Sequence, residues 1–167
     1  MIDENSNICA FLEMLAISEL GQAILNQSDN GYNVLVGSLP GDVKTFSGYL
    51  FHPDRLEHVR GALYSTAAGR YQIIFPTWKG IVEKIALPDF SPDSQDKAAV
   101  ELIKERGAYE DLVAGRWAVA IAKCQREWAS LPGAGYGQHE NTLASLYQVY
   151  LAKGGVSSNG HSESIQS

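Results

Sequence analysis

A glutamate stands in the middle of the apolar face of the first helix that the sequence predicts, from Ser6 to Leu20. With a rotation of about 100° per residue, Glu19 projects only about 20° away from Ile8. Three more apolar side chains project within about 60° of Ile8: Phe11, Leu12 and Leu15. A helix with such a face buries it in a hydrophobic core. The fold must therefore bring this carboxylate to the edge of a core.

Burial of Glu19 changes its acid–base chemistry. When a carboxylate faces a core, its ionised form lacks the hydration that it has in water, and this raises its pKa. The negative end of the helix dipole disfavours a negative charge in the last turn, which acts in the same direction. Both effects keep a proton on the side chain near neutral pH, as a general acid requires. The alternative is that the helix frays before Glu19 and the carboxylate reaches solvent.

The length and the two ends of the chain predict its organisation. The chain has 167 residues, enough for one domain that folds without a disulfide or a metal. We expect this domain over residues 1–155 and a flexible, Gly/Ser-rich tail over residues 156–167. No apolar run approaches the ~20 residues that span a bilayer, and the acidic start lacks the basic region of a signal peptide. We therefore expect a cytoplasmic protein with no stable membrane association.

Helix signals dominate the remaining chain. We predict α+β architecture, mainly helical, with a small β lobe in the N-terminal half and a cleft between two lobes. Ser6 or Asn7 is expected to cap the first helix. The predicted extended segments are 31–37, 45–51 and 70–75, and the predicted further helices are 77–86, 92–106, 116–129 and 140–153.

Two segments have the composition of a saccharide site. One runs from Ser65 through Arg70 and Tyr71 to Gln72, and the other is the glycine-rich stretch from Gly135 to Gln138. Aromatic rings pack on the apolar faces of a sugar, amides bind its hydroxyl groups, and glycines allow close backbone approach. Each segment alone also fits ordinary packing or a plain turn.

Five motifs resemble one enzyme family. They are Met14–Glu19, Gly31–Gly37, Gly69–Gln72, Asp89–Asp96 and Trp128–Gln138. With these motifs, the sequence from about Phe11 to about Gly155 resembles the lambda-type phage endolysins, small lytic transglycosylases that cleave bacterial peptidoglycan. The resemblance implies a lysozyme-like fold with no cofactor and no metal. It also implies that the protein lyses the host cell.

The resemblance assigns roles to individual residues. It implies that Glu19 is the catalytic acid and that four residues line the saccharide groove: Tyr71, Gln72, Tyr136 and Gln138. Ser65 and Arg70 join this set through the composition of their segment. We expect a monomer whose partner is the peptidoglycan glycan strand. We expect it to remain in the host cytoplasm until a holin permeabilises the membrane and gives it access to the periplasm and cell wall.

The charge limits other partners. Thirteen Lys and Arg residues against nineteen Asp and Glu residues give a net charge of −6. Without a basic stripe the protein is not expected to bind nucleic acid. The same charge provides no long-range steering towards peptidoglycan, which carries carboxylates, so affinity must come from short-range contacts.

The spacing of carboxylates separates two mechanisms. Hydrolysing glycosidases place two carboxyl groups across the scissile bond. Another family of phage muramidases carries Glu, eight residues, Asp, five residues and Thr, but here Ser28 stands at the Asp position, and Asp29 is followed at the Thr spacing by Leu35. We therefore expect a transglycosylase that forms a 1,6-anhydro product. The alternative is a hydrolase that uses Asp29 or Asp42 as the second carboxylate.

Three other functional classes each rest on one feature of the sequence: a zinc enzyme, an enzyme with a thiol nucleophile and a binding module without activity. A zinc amidase requires histidine ligands, but the four histidines (His52, His58, His139 and His161) lack HExxH or HxH spacing. A thiol nucleophile would pair Cys124 with a histidine such as His139, although Cys124 has apolar neighbours that disfavour a thiolate. A wall-binding module without activity would use the aromatic residues and leave Glu19 a structural role.

Overall fold

The N-terminal helix, α1, spans Ser6–Leu20, as the sequence predicts. The computed structural model describes residues 5–133 and 141–158. The predicted cap is wrong by one residue: Asn5 Oδ1 accepts from the backbone amides of Asn7 and Ile8 at 3.0 and 3.2 Å. Helix α1 is buried on most of its sides, as expected of a helix that is apolar all round. The apolar face around Ile8 is therefore one part of a wider buried surface.

The described chain divides into two compact units. Unit 1 contains α1 as far as Glu19 and the chain from Ala99 onward, and unit 2 is Leu20–Ala98. The elements that follow α1 are α2 (Gln22–Asn26), β1 (Glu57–Arg60), β2 (Leu63–Ser65), α3 (Phe75–Ile85), α4 (Pro92–Glu105), α5 (Tyr109–Val113), α6 (Trp117–Cys124) and α7 (Leu143–Ala152). Unit 2 is thus an insertion between the first helix of unit 1 and its remainder. No helix in the described ranges is long and apolar enough to cross a membrane.

Unit 1 is helical, and its core is built around aromatic side chains. Trp117 at the start of α6 is fully buried and lies 5.1 Å from Tyr147 and 5.9 Å from Tyr150 of α7, measured between ring centroids. Trp128, between α6 and α7, is also buried. Large buried rings of this kind stabilise a core strongly because each removes much apolar area from water. They fix the segment around residue 128 against the helices.

Unit 2 has a second aromatic cluster, centred on His52. Its ring centroid lies 4.8 Å from that of Phe90 and 5.5 Å from that of Phe75. Trp78 meets Phe90 edge to face at 4.5 Å. Residues from a loop, from α3 and from the approach to α4 thereby share one core, which compensates for the small amount of regular sheet in this unit.

The positions of the predicted strands are wrong. The two-stranded antiparallel sheet pairs β1 with β2, with Glu57 opposite Ser65 and His58 opposite Tyr64. The predicted segments 31–37, 45–51 and 70–75 form only isolated bridges, such as Val34 with Thr45. Residues in the left-handed region bound the first segment, at Gly31 and Gly37, and interrupt the other two, at Gly48 and Gln72, where extended backbone cannot continue.

The longer predicted helices are present with shifted ends. Helix α3 begins at Phe75 instead of residue 77, because the Phe75 amide donates to Thr66 Oγ1 at 3.0 Å. Helix α4 begins at Pro92, as predicted, with Ser91 Oγ accepting from the Ser94 amide at 3.3 Å. Helices α6 and α7 are shorter than the predicted 116–129 and 140–153. The five-residue helices α2 and α5 were not predicted.

The start of the predicted tail is in contact with unit 1. The Val156 amide donates to Asn7 Oδ1 at 3.0 Å, and the Tyr150 hydroxyl donates to the Val156 carbonyl at 3.1 Å. The Ser158 amide donates to the Gly115 carbonyl at 3.3 Å. Residues 156–158 are therefore held by hydrogen bonds, while residues 159–167 lie outside the described chain.

Candidate functional site

The Glu19 carboxylate lies in the last turn of α1 and is partly buried. Its Oε1 atom accepts a hydrogen bond from Ser130 Oγ at 3.1 Å. Burial raises the pKa of Glu19 from an ordinary value of 4.5 to about 7, and hydrogen bonds from the side chain and backbone of Ser130 limit the increase. This agrees with the expectation from the helix face. Near neutral pH the side chain exists in both protonation states.

Ser130 belongs to a network of neutral polar groups in unit 1. Its hydroxyl lies 2.7 Å from the hydroxyl of Ser18, the residue before Glu19. Asn141 Nδ2 donates to Ser18 Oγ at 3.0 Å and to the Ser18 carbonyl at 3.1 Å. The backbone amide of Asn141 also donates to the Ser130 carbonyl at 2.9 Å. The network fixes the end of α1 to the segments on both sides of residues 134–140.

The loop Ser65–Gln72 lies in unit 2, where the four residues predicted on it have different environments. Ser65 Oγ accepts from the Ala67 amide at 3.1 Å and closes a local turn. Gln72 is partly exposed and has a φ of 50°, an uncommon conformation for a residue with a side chain. Its Nε2 donates to the Gly69 carbonyl at 2.8 Å. Residues held in such conformations concentrate at functional sites.

Arg70 and Tyr71 are buried, with exposed fractions of only 1% and 2%. The Arg70 guanidinium donates to the Asn30 carbonyl at 2.7 Å, and the Tyr71 hydroxyl donates to Asp96 Oδ1 at 2.6 Å. Tyr32 donates to the same Asp96 oxygen at 2.9 Å. Burial raises the pKa of Asp96, and the two tyrosine hydroxyls counteract it. In this conformation Arg70 and Tyr71 support the loop from inside and offer almost no surface to a ligand, unlike the direct saccharide contact predicted for them.

The two alternative carboxylates are exposed residues of unit 2. Asp29 Oδ2 accepts a hydrogen bond from the Tyr49 hydroxyl at 2.5 Å. Asp42 exchanges two backbone hydrogen bonds with Leu39 across the turn at Pro40 and Gly41. The carboxylate of Asp29 thus has a partner within unit 2, whereas the two bonds of Asp42 to Leu39 are made by its backbone.

The histidine and cysteine environments favour structural roles. His52 is buried, its Nδ1 accepts from the Asp54 amide at 3.0 Å and its Nε2 lies 2.8 Å from the Ile73 carbonyl. Burial lowers the pKa of His52 and keeps the ring neutral. Burial raises the pKa of Cys124 to about 12, with a further contribution from Glu127, so a thiolate is strongly disfavoured. Within residues 5–133 and 141–158, no cluster of acidic, histidine and cysteine side chains could hold a metal ion.

Tyr136, Gln138 and His139 lie outside the described residues, so their predicted roles remain predictions. The segments that flank them, at Ser130 and Asn141, carry the network that contacts Glu19.

Comparison with known proteins identifies the family. A family model described as Endolysin matches residues 9–157. The endolysin of Escherichia phage P2 is 45% identical over 163 residues, which cover 93% of this chain and 98% of that protein. The chain belongs to the endolysin family. The endolysin of Escherichia phage lambda is 41% identical over 157 residues, which cover 93% of this endolysin and 96% of the relative.

Solved structures confirm the predicted fold class. A bacteriophage lambda lysozyme complexed with a chitohexasaccharide matches with a TM-score of 0.85 and 42% identity, covering 94% of this endolysin and 99% of that chain. A second structure of the lambda lysozyme matches with a TM-score of 0.80 and 40% identity, at the same coverage. This endolysin therefore has a lysozyme-like α+β fold, and the resemblance drawn from its motifs is confirmed. As an endolysin, it degrades bacterial peptidoglycan in host lysis.

Sequence reasoning did not single out Ser18, Ser130 or Asn141. Ser18 and Ser130 lie within two of the family motifs, but nothing in the sequence pairs residues 112 positions apart. Helical periodicity locates Glu19 because that signal is local. Partners that come from distant segments need the fold.

Proposed function

We propose that this endolysin cleaves the MurNAc–GlcNAc β-1,4 glycosidic bond as a lytic transglycosylase, with Glu19 as the catalytic acid. The observation that carries the proposal is the Glu19 carboxylate, which burial brings to a pKa of about 7 beside the Ser130 hydroxyl. A carboxylic acid with this pKa donates a proton and takes one back at the same pH. The relative solved with a chitohexasaccharide supports a glycan as the substrate.

The reaction requires one proton donor that later acts as the acceptor. Glu19 protonates the glycosidic oxygen, the bond from that oxygen to C1 of MurNAc breaks, and GlcNAc leaves with a new hydroxyl group. The N-acetyl group of MurNAc stabilises the positive charge at C1. The sugar's own 6-hydroxyl oxygen then bonds to C1, and its proton returns to Glu19. No water is consumed, and the product ends in 1,6-anhydro-MurNAc.

The alternative hydrolase needs a second carboxylate such as Asp29 or Asp42. The Asp29 carboxylate already accepts a hydrogen bond from Tyr49, and neither residue fits the Glu, Asp and Thr spacing of the two-carboxylate muramidases. A transglycosylase needs only Glu19, so it explains the available residues with fewer assumptions.

We assign the saccharide contacts to Ser65, Gln72, Tyr136 and Gln138. Gln72 is partly exposed in a left-handed conformation, as expected of a residue held in place for binding. Arg70 and Tyr71 then serve by supporting the Gln72 loop from within unit 2. We further propose that the protein acts as a monomer and that a holin admits it from the host cytoplasm to the wall.

The product distinguishes the two mechanisms. Purified peptidoglycan is digested in water enriched in ¹⁸O, and the released muropeptides are analysed by mass spectrometry. We expect products lighter by one water than hydrolytic ones, with no ¹⁸O and no new reducing ends. Incorporation of ¹⁸O in step with the loss of turbidity would establish the hydrolase and leave Glu19 as its acid.

Two variants at α1 control this experiment. Glu19→Gln keeps the shape of the side chain but has no proton to donate, so lysis should fall by at least about 100-fold. Glu13→Gln, about 120° away around the helix, should retain activity close to that of the parent. Full lysis by a folded Glu19→Gln protein would reject Glu19 as the acid.

A further inference from the structure

The orientation of the Asn141 amide is fixed by its surroundings. Its Nδ2 atom faces two backbone carbonyls, Ser18 O at 3.1 Å and Ser130 O at 3.4 Å. A carbonyl oxygen only accepts hydrogen bonds, so the atom that faces it must be the NH₂ group and not the amide oxygen. The NH₂ group has two hydrogens, and its two shorter contacts, to Ser18 Oγ at 3.0 Å and to the Ser18 carbonyl at 3.1 Å, are its donations. The Ser130 carbonyl at 3.4 Å lies beyond ordinary hydrogen-bonding distance.

The carboxylate of Glu19 sets the direction of the two hydroxyls. Ser130 has a single hydroxyl hydrogen, which it donates to Glu19 Oε1 at 3.1 Å. Ser18 must therefore be the donor in the 2.7 Å contact between the two hydroxyls, and its own oxygen accepts from Asn141. Hydrogen bonds in such a chain polarise and strengthen one another.

We propose that Asn141, Ser18 and Ser130 form a one-way hydrogen-bond relay that keeps Oε1 of Glu19 as an acceptor, so that Oε2 carries the proton exchanged with substrate. The three residues are positioning residues, and the inference rests on the proposed role of Glu19. The hydrogen bond from Ser130 Oγ favours Oε1 as the carbonyl oxygen of the neutral acid, and this places the proton on Oε2. The same atom donates to the glycosidic oxygen and later takes the proton of the 6-hydroxyl, so the side chain needs no rotation between the two steps.

The relay consists of neutral groups, and this limits what can perturb it. The pKa of Glu19 is set by burial and by Ser130, and no charged group contributes to it among the described residues. The charged or titratable residues nearest in sequence to the relay are Glu13 on α1, Arg126 and Glu127 ahead of Ser130, and His139 and Glu140 directly before Asn141. The last two lie outside the described residues. Glu127 is paired with Arg106. Variants of the relay therefore report on hydrogen bonding without removing a charge.

The test measures the pKa of Glu19 directly in the full-length protein. Side-chain ¹³C NMR follows the Glu19 carboxyl from pH 4 to pH 9, with the resonance assigned by its loss in Glu19→Gln. Removal of a donor to the charged form raises the pKa, so Ser130→Ala should shift it upward by on the order of one pH unit. Ser18→Ala and Asn141→Ala remove earlier links and should give smaller shifts of the same sign. Ser145→Ala is the matched control, since Ser145 is exposed and its hydroxyl donates only to the Thr142 carbonyl.

Two further measurements separate the relay from a merely structural role. The basic limb of the pH profile of kcat/KM should move upward in the same order as the NMR pKa values. Difference infrared spectra at pH 5 should show a higher C=O stretching frequency for protonated Glu19 in Ser130→Ala, because Oε1 has lost its donor.

The outcomes distinguish the relay from the proposed function. A shift in Ser130→Ala with none in Ser18→Ala and Asn141→Ala would show that Ser130 acts alone and would overturn the relay. An unchanged pKa in all three would overturn it as well. If Ser130→Ala fails to fold by thermal unfolding, Ser18→Ala decides, since it removes only the middle hydroxyl. Lysis by Glu19→Gln would instead reject the catalytic role of Glu19, whatever the titrations show.

Discussion

Two effects act on the pKa of Glu19 in opposite directions. A poorly hydrated site disfavours the ionised form, and hydrogen-bond donors favour it. Burial raises the pKa to about 7, while Ser130 favours the carboxylate and limits the rise. The side chain is therefore kept close to the midpoint of its titration, where donation and uptake of a proton are both possible.

This arrangement predicts a pH-dependent penalty on stability. The folded-state pKa of Glu19 is about 7 and the ordinary value is 4.5, so the folded state binds more protons between these values. The free energy of unfolding therefore falls as the pH rises through this window. Glu19→Gln cannot ionise, so it should be more stable than the parent at pH 8 by up to about 3 kcal/mol, with the difference shrinking towards pH 5. Urea unfolding at the two pH values measures this.

The difference between variant and parent isolates Glu19, because every other titration is common to both proteins. An equal stability difference at pH 5 and pH 8 would mean that the Glu19 pKa is close to its ordinary value.

Backbone conformation decides the elements of unit 2 more than residue propensity does. The segments from Gly31 to Gly37 and from residue 70 to residue 75 have strand composition, yet left-handed residues limit each to isolated bridges. Only Glu57–Ser65 forms a hairpin, and its sequence lacked a strong turn signal. Bridges such as Leu35 with Ala68 bring separate loops together without a sheet. A propensity-based prediction finds the small β lobe and misplaces its strands for this reason.

Gly69 shows how tightly these loops are packed. It has a φ of +83°, and a Cβ atom there would meet the amide of Gln95 and the ring of Phe90. The Gln95 amide accepts from the Arg70 backbone at 3.0 Å and donates to the Phe90 carbonyl at 2.8 Å, so it has little freedom to move. Gly69→Ala should destabilise the protein by about 2–4 kcal/mol, as measured by urea unfolding.

Gly80 is the matched control for that substitution. It lies on α3 with an ordinary helical backbone, and apart from its chain neighbours and the helix's own backbone no described atom lies within 4 Å of the position that a Cβ atom would take there. Gly80→Ala should therefore stabilise the protein by about 0.5–1 kcal/mol, because alanine loses less backbone entropy in a helix. A destabilisation of equal size at both glycines would contradict the packing argument.

Helix positions were predicted from local signals, and their ends required tertiary contacts. Pro92 and Ser91 mark the start of α4 in the sequence itself. The start of α3 depends on Thr66 Oγ1, which belongs to another segment. The same distinction applies to the site, where Glu19 follows from periodicity and its contact with Ser130 spans 111 positions.

The whole molecule has a discontinuous unit 1, closed by contacts between the two ends of the described chain. Asn7 donates to the Leu112 carbonyl at 2.9 Å and accepts from the Val156 amide at 3.0 Å. Truncation after Gly155 removes the second contact, the bond from the Tyr150 hydroxyl to the Val156 carbonyl and the bond from Ser158 to Gly115. We expect the loss of these bonds to lower the free energy of unfolding by about 1–2 kcal/mol. The melting temperature should fall by about 2–4 °C for each kcal/mol.

Truncation after Ser158 is the control, since it keeps every hydrogen bond described for residues 156–158. Its melting temperature, measured by calorimetry, should match that of the full chain. An equal fall in both truncations would assign the effect to residues 159–167, and no fall in either would show that the contacts of residues 156–158 add nothing to stability.

The insertion of unit 2 into unit 1 has a consequence for synthesis on the ribosome. Residues 20–98 emerge as one continuous segment and contain all of unit 2, whereas Glu19 emerges early and waits for its partners. Ser130 and Asn141 leave the exit tunnel only when most of the chain has been translated. A nascent or prematurely terminated chain that stops before them carries the acid without the groups that orient it. The hydrogen-bond partners of Glu19 are therefore present only in chains that have been synthesised past Asn141, and shorter products lack them.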